Sequence, residues 1–273
     1  MAPLTLRELV DLDRYPIHDL DSPTGRALVE RARAALADVG ACDLPGFLRP
    51  DAIAAAVEDA LAVRGEAYRT EQDHDIEFSG LAADSLAPDD PRRTHVRSAK
   101  EGTAYDRIPP DSPVRVLYEN DALSAFVGRA LELEPLYRSD DPLGALNFMY
   151  YGPGDELGWH FDSADFVVTL MLQASEAGGE FEYVPMLRTA DDRNDDDVRA
   201  LLDGRHPGVR SMSGEAGTLA LFRGHFSPHR VTPVEGSRLR INAVLSFADA
   251  PGHRLHAAAY PLFYGRTPDE ARV

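Results

Sequence analysis

Between Leu143 and Phe247 the chain alternates short apolar runs with Gly and Pro turns, and no other feature constrains the fold as much. Ala145-Leu146-Asn147-Phe148-Met149-Tyr150-Tyr151 reads as a strand, followed by the turn Gly152-Pro153-Gly154-Asp155. Phe166 to Leu172, Glu180 to Val184, Thr218 to Phe222 and Leu239 to Phe247 continue the series, with Gly178-Gly179 as a further turn. Short strands punctuated in this way form a β-sandwich or barrel. An insertion over 186–213 interrupts them; in it Asp195-Asp196-Asp197 opens a helix through Leu202, ended by Gly204.

The first half has another period. Ser22-Pro23-Thr24 caps a helix running to about Val39, with Leu28, Val29, Ala32, Ala35 and Leu36 at helical spacing, and Gly40 ends it. Ala41 to Leu48 is a short strand candidate, Arg49-Pro50-Asp51 opens a second helix to about Val63, and Val114 to Leu133 reads as a third helical region. The acidic stretch Glu66 to Asp90 lacks periodicity and is expected to be a surface excursion or flap. The expected fold class is mainly β with flanking helices (α+β), one domain over 1–273. A largely helical part, 1–135, would pack on a β core at 143–250.

A net charge of −18 opposes binding to nucleic acid, whose phosphates it would repel. The single cysteine, Cys42, excludes an internal disulfide and any multi-cysteine metal site. No apolar run reaches membrane-spanning length and no signal-like segment opens the chain, so a cytoplasmic protein with a small-molecule substrate is expected.

The chemistry concentrates in Gly158-Trp159-His160-Phe161-Asp162 and, later, Ser227-Pro228-His229-Arg230-Val231. In a strand, residues two apart share a face, so His160 and Asp162 can reach one ion, with His229 arriving from a neighbouring strand. Two imidazoles and one carboxylate suit Fe(II) and leave coordination positions vacant; zinc in a hydrolase would use the same donors. His225 competes for the distal place. His229 is preferred because Val231-Thr232-Pro233-Val234 leads straight into Gly236 and an arginine-bearing strand.

In that strand Arg238, Arg240 and Asn242 alternate onto one face. A buried arginine needs an anion, and a carboxylate matches its fork of donors. Arg238 is favoured slightly for this role. Asn147 and Tyr151 share a face of the earlier strand and could hydrogen-bond the same carboxylate, or simply pack. Trp159 beside the metal motif, Asn242, and Arg97 in Thr94-His95-Val96-Arg97-Ser98 are the substrate-contact candidates.

With these residues in place, the chain resembles the Fe(II)/2-oxoglutarate-dependent oxygenases. His229-Arg-Val-Thr-Pro-Val-Glu-Gly-Ser-Arg238 is similar to the distal motif of the prolyl-hydroxylase-like branch. Gly-Trp-His-Phe-Asp and Arg-Leu-Arg-Ile-Asn resemble the carrier-free amino-acid halogenases and their hydroxylating relatives. The resemblance implies a double-stranded β-helix (jelly-roll, cupin-like) core. It also implies Fe(II) held by His160, Asp162 and His229, with 2-oxoglutarate as co-substrate, its distal carboxylate on the strand arginine, and O2 as oxidant. Halogenating members carry Gly or Ala at the carboxylate position, which admits chloride. Asp162 occupies it here, so hydroxylation of a free amino acid or a derivative is expected, with succinate and CO2 released. A peptidyl hydroxylase acting on a protein partner and a non-catalytic metal-binding sandwich are the alternatives.

Overall fold

The structure is a computed structural model describing residues 4–271. Helix α1 (Pro23–Val39) begins where the Ser22 hydroxyl accepts the Gly25 N–H at 3.0 Å and ends at Gly40, whose φ of +68° suits a residue without Cβ. Helices α2 (Pro50–Val63), α3 (Pro113–Tyr118) and α4 (Asp121–Leu131) belong to the N-terminal layer, and α5 (Asp195–Leu202) lies in the insertion.

Ten strands build the site: β1 (Ala41–Leu44), β2 (Tyr68–His74), β3 (Val96–Thr103), β4 (Leu146–Tyr151), β5 (Glu156–His160), β6 (Val167–Gln173), β7 (Phe181–Tyr183), β8 (Leu219–Phe222), β9 (His229–Val231) and β10 (Arg240–Leu245). They pair in the order β1-β8-β6-β10-β4-β3-β5-β9-β7, with Arg210–Ser211 beyond β7 and β2 branching from β3; every pairing is antiparallel. The sheet curls into a jelly roll, as the resemblance implied.

Period-2 alternation divides its faces. Leu146, Phe148 and Tyr150 join Val168, Leu170, Leu172, Leu219, Leu221, Ile241, Ala243 and Leu245 in the core that also takes Leu28, Leu36, Phe126 and Val127 from the helices. Burying each such side chain contributes about 1.5–3 kcal/mol, and this layer fixes the register of β4, β6, β8 and β10. The opposite face turns inward, carrying Asn147, Met149, Thr169, Met171, Ala220, Phe222, Arg240, Asn242 and Val244 around cavities.

Two features differ from the sequence reading. The 66–90 stretch is not only an excursion: β2 and β3 pair from Tyr68↔Gly102 to His74↔Val96. In addition, the segment after Ala248 folds back. Asp141 accepts hydrogen bonds from the amides of Leu143, Gly144 and Leu255 and from Tyr260 Oη. This buried carboxylate anchors α6 (Ala259–Tyr264), which brings Phe263 and Tyr264 to the cavity wall. No helix among the described residues is long and apolar enough to cross a membrane.

Candidate active site

His160 ends β5 and His229 opens β9, and the two are paired across the ladder. The pairing then steps from His229↔His160 to Val231↔Leu157, so that Arg230 alone faces both Gly158 and Trp159, which is a β-bulge. Gly158 lies within it because the strands approach closely: a Cβ there would come within 2.6–2.8 Å of Val96 and the Arg97 carbonyl. Asp162 sits two residues past the end of β5 rather than within it. Its amide donates to Gly224 O at 3.1 Å.

The three side chains converge. His160 Nε2 lies 3.7 Å from Asp162 Oδ1 and His229 Nε2 lies 3.4 Å from Asp162 Oδ2, with the imidazole centroids 4.1 Å apart. One donor atom from each falls within 4.8 Å of the others, the one such group of three or more His, Cys, Asp or Glu donors among the described residues. His160 Nδ1–H donates to Gly158 O at 2.8 Å and His229 Nδ1–H to Ser227 O at 3.1 Å. A carbonyl only accepts, so both rings are held in the tautomer that leaves the Nε2 lone pair free. Burial, reinforced by His229 alongside, holds His160 well below the usual histidine range and therefore neutral. Asp162 Oδ2 is buried and has no hydrogen-bond partner among the described residues. An orphaned buried carboxylate oxygen facing two free nitrogen lone pairs fits a divalent cation. His225 stays outside this group: its Nδ1 is 3.1 Å from Asp162 O and its backbone O accepts from Arg188 Nε.

Burial separates the two strand arginines. Arg240 is 4% exposed, points into the barrel and stacks 5.2 Å from the Tyr151 ring centroid, opposite its paired residue. Its Nε donates to Gly179 O at 2.9 Å and its Nη1 to Asn242 Oδ1 at 2.6 Å. It forms no salt bridge among the described residues, and burial lowers its pKa from the ordinary arginine value. Thr218 Oγ1, in the wall of the same inner cavity, is also buried without a partner among the described residues. Arg238 precedes β10, is exposed, and donates to Ser175 O at 2.9 Å. The slight sequence preference for Arg238 is thus corrected: alternation applies only inside the strand, and Arg238 lies before it. Burial also pushes the Tyr151 phenol up to about 12, with Arg240 pulling the other way.

The remaining sequence candidates scatter. Asn147 shares the inner face with Tyr151 but stands opposite Val244, not Arg240, and bonds Leu143 O and Tyr264 Oη. Asn242 holds Arg240 rather than standing free for substrate. Arg97 is corrected: it faces outward on β3, ion-paired with Glu71 (2.9 Å) and Glu156 (3.2 Å). Trp159 is corrected too: it packs with Ile76, Phe161, Val184, Leu187, Val198 and Leu201 in a second core, under Arg230. It lies next to His160 in sequence, yet on the outer side of the sheet.

Sequence reasoning missed Lys100, Phe78, Arg188 and Phe263, which line the approach to Asp162. Arg188 ties the insertion to the flap, binding Glu77 at 2.6 Å and lying 3.7 Å from the Phe161 ring centroid. Lys100 is two residues from Gly102 and faces inward with it, but no apolar alternation marks this strand, so hydrophobic patterning carries no signal for it.

The sequence matches the family described as halogenase D over residues 26–258. No curated protein matches it. Among solved structures, it is similar to the non-haem alpha-ketoglutarate-dependent epimerase SnoN from nogalamycin biosynthesis, at 13% identity and TM-score 0.56, covering 82% of this chain and 84% of that one. It is similar to AviO1 from Streptomyces viridochromogenes Tue57 at 19% identity and TM-score 0.54, covering 83% and 95%. A Trichoplax adhaerens prolyl hydroxylase, solved with a hypoxia inducible factor oxygen degradation domain peptide, matches at 14% identity and TM-score 0.51, covering 83% and 94%. At these identities the structures establish the shared fold. The chain belongs to the halogenase D family, within the Fe(II)/2-oxoglutarate-dependent oxygenase superfamily.

Proposed function

We propose that this enzyme hydroxylates an unactivated C–H bond of a small polar metabolite, a free amino acid or a derivative, with succinate and CO2 as co-products. One observation carries the choice of hydroxylation over halogenation. The Asp162 carboxylate stands between the two imidazoles, in the place a halide would need. His160, Asp162 and His229 would hold the iron, and Arg240 would neutralise the distal carboxylate of 2-oxoglutarate, supported by Asn242 and the free hydroxyl of Thr218.

When bound, the iron with 2-oxoglutarate and O2 supplies the oxidant, coupling decarboxylation of the co-substrate to C–H oxidation. The chain's own residues supply placement and exclusion of water. The backbone carbonyls of Gly158 and Ser227 fix both imidazoles before any ligand arrives. Phe78, Leu262 and Phe263 form apolar walls over His160 and Asp162. Cavities of about 310 and 500 Å³ reach Asp162. They are lined by residues of the flap, the insertion and α6, and their volumes lie in the range of small-molecule sites, which supports a small substrate.

Anaerobic addition of Fe(II) and 2-oxoglutarate is expected to give a weak visible charge-transfer band that His160→Ala abolishes. A wild-type protein with no band would remove the reading. Screening small metabolites for stimulated succinate release then identifies the substrate.

A further inference from the structure

Of the chain's 28 basic side chains, all but one are arginine, and the exception is Lys100. It lies on β3, lines both cavities that reach Asp162, and has no hydrogen bond or ion pair at its ammonium among the described residues. The other charges around these cavities are accounted for. Glu77 and Arg188 neutralise each other at 2.6 Å. Asp162 belongs to the metal group and Arg240 faces the inner cavity. Fe(II) and 2-oxoglutarate cancel in formal charge, so Asp162, Lys100 and Arg240 leave one positive charge uncompensated. A partly buried, unpaired charge is costly, and an anionic ligand relieves that cost. An ammonium is a compact point charge that accepts a carboxylate from several directions, whereas a guanidinium demands a planar, two-point approach.

We infer that Lys100 binds the carboxylate of the substrate, and that the substrate is a monoanion whose amine, if it has one, is capped. This rests on the oxygenase reading above and narrows it. Asp162 and Glu77 are the acidic side chains lining the two cavities, and both are committed, so a substrate ammonium would meet no free carboxylate. The apolar part of the substrate then lies toward Phe78, Leu262 and Phe263, and Lys100 fixes which carbon faces the metal. Its role is binding and orientation.

Because there is one lysine, protein grown with [13Cε]-lysine gives a single side-chain NMR signal. With Zn(II) replacing iron and 2-oxoglutarate bound, the signal is followed against N-acetyl-L-amino acids, the free L-amino acids and the N-acetyl amino amides. At least one N-acetyl acid should move it saturably, its free amino acid should act more weakly, and its amide should not act. Lys100→Met should keep the Fe(II)–2-oxoglutarate band, with co-substrate affinity within about threefold. It should lose acid-stimulated succinate release by roughly 10- to 100-fold, the loss expected for one charge-assisted contact. The inference is overturned if no acid moves the signal, if acids and amides act alike, or if Lys100→Met weakens 2-oxoglutarate instead. An unaltered protein without the band would defeat the oxygenase reading itself; a normal band without an acid response defeats only this inference.

Discussion

The closed and open ends of the barrel interior each hold one cation without a carboxylate partner among the described residues, but they hold it differently. At the closed end Arg240 is clamped by Gly179 O and Asn242 Oδ1 and stacked near Tyr151. At the open end Lys100 has no polar partner for its ammonium among the described residues, and burial draws its pKa down to about 8 while Asp162 opposes the shift. A rigid, pre-bonded guanidinium suits a ligand that never changes, such as a co-substrate. A loosely held ammonium suits the substrate carboxylate inferred above.

The largest test of that contrast removes what both ends serve. His229→Ala should lose metal binding by more than the roughly 10- to 100-fold that changes around a ligand typically cause, and with it the charge-transfer band. Arg240→Met should raise the 2-oxoglutarate Kd about 10- to 100-fold, by the loss of a charge-assisted contact, while Arg238→Met leaves it nearly unchanged. Equal effects at the two positions would erase the distinction between buried and exposed arginine. Gly224→Ala addresses the metal from the opposite side. Its Cβ would come within 1.8 Å of Asp162 Oδ2, so metal affinity should fall about tenfold by calorimetry with the fold intact. Tyr264→Phe removes the hydroxyl that donates to Asn147 at 3.0 Å, and should raise the substrate KM only a few-fold with 2-oxoglutarate affinity unaltered. Arg97→Met should shift thermal stability by no more than about 0.5 kcal/mol and leave turnover untouched, since its partners lie at the surface.

Legibility followed burial. β4, β6, β8 and β10 were readable because one face of each packs on helices and writes an apolar alternation. β2 was not, since most of its side chains are exposed and it pairs only with β3. Nor was β3, whose inward side carries Lys100 and Gly102 toward a cavity rather than a core. The metal residues were legible through their spacing and donor chemistry. Their surroundings were less so: alternation already turns Trp159 away from the face of His160, but the bulge at Gly158 and the end of β5 before Asp162 leave no mark in that pattern. The choice between Arg238 and Arg240 likewise hinged on where β10 begins, the kind of boundary that pattern alone places least well.

That Asp162 lies just past its strand has one more consequence. The residue is tethered through its main chain, amide to Gly224 and carbonyl beside His225, so the framework asks nothing of its side chain. Exchanging that side chain would leave every rung of the ladder intact. A scaffold with a replaceable donor at such a joint can change what its metal delivers without refolding, which offers a physical route by which one lineage could contain both hydroxylating and halogenating catalysts.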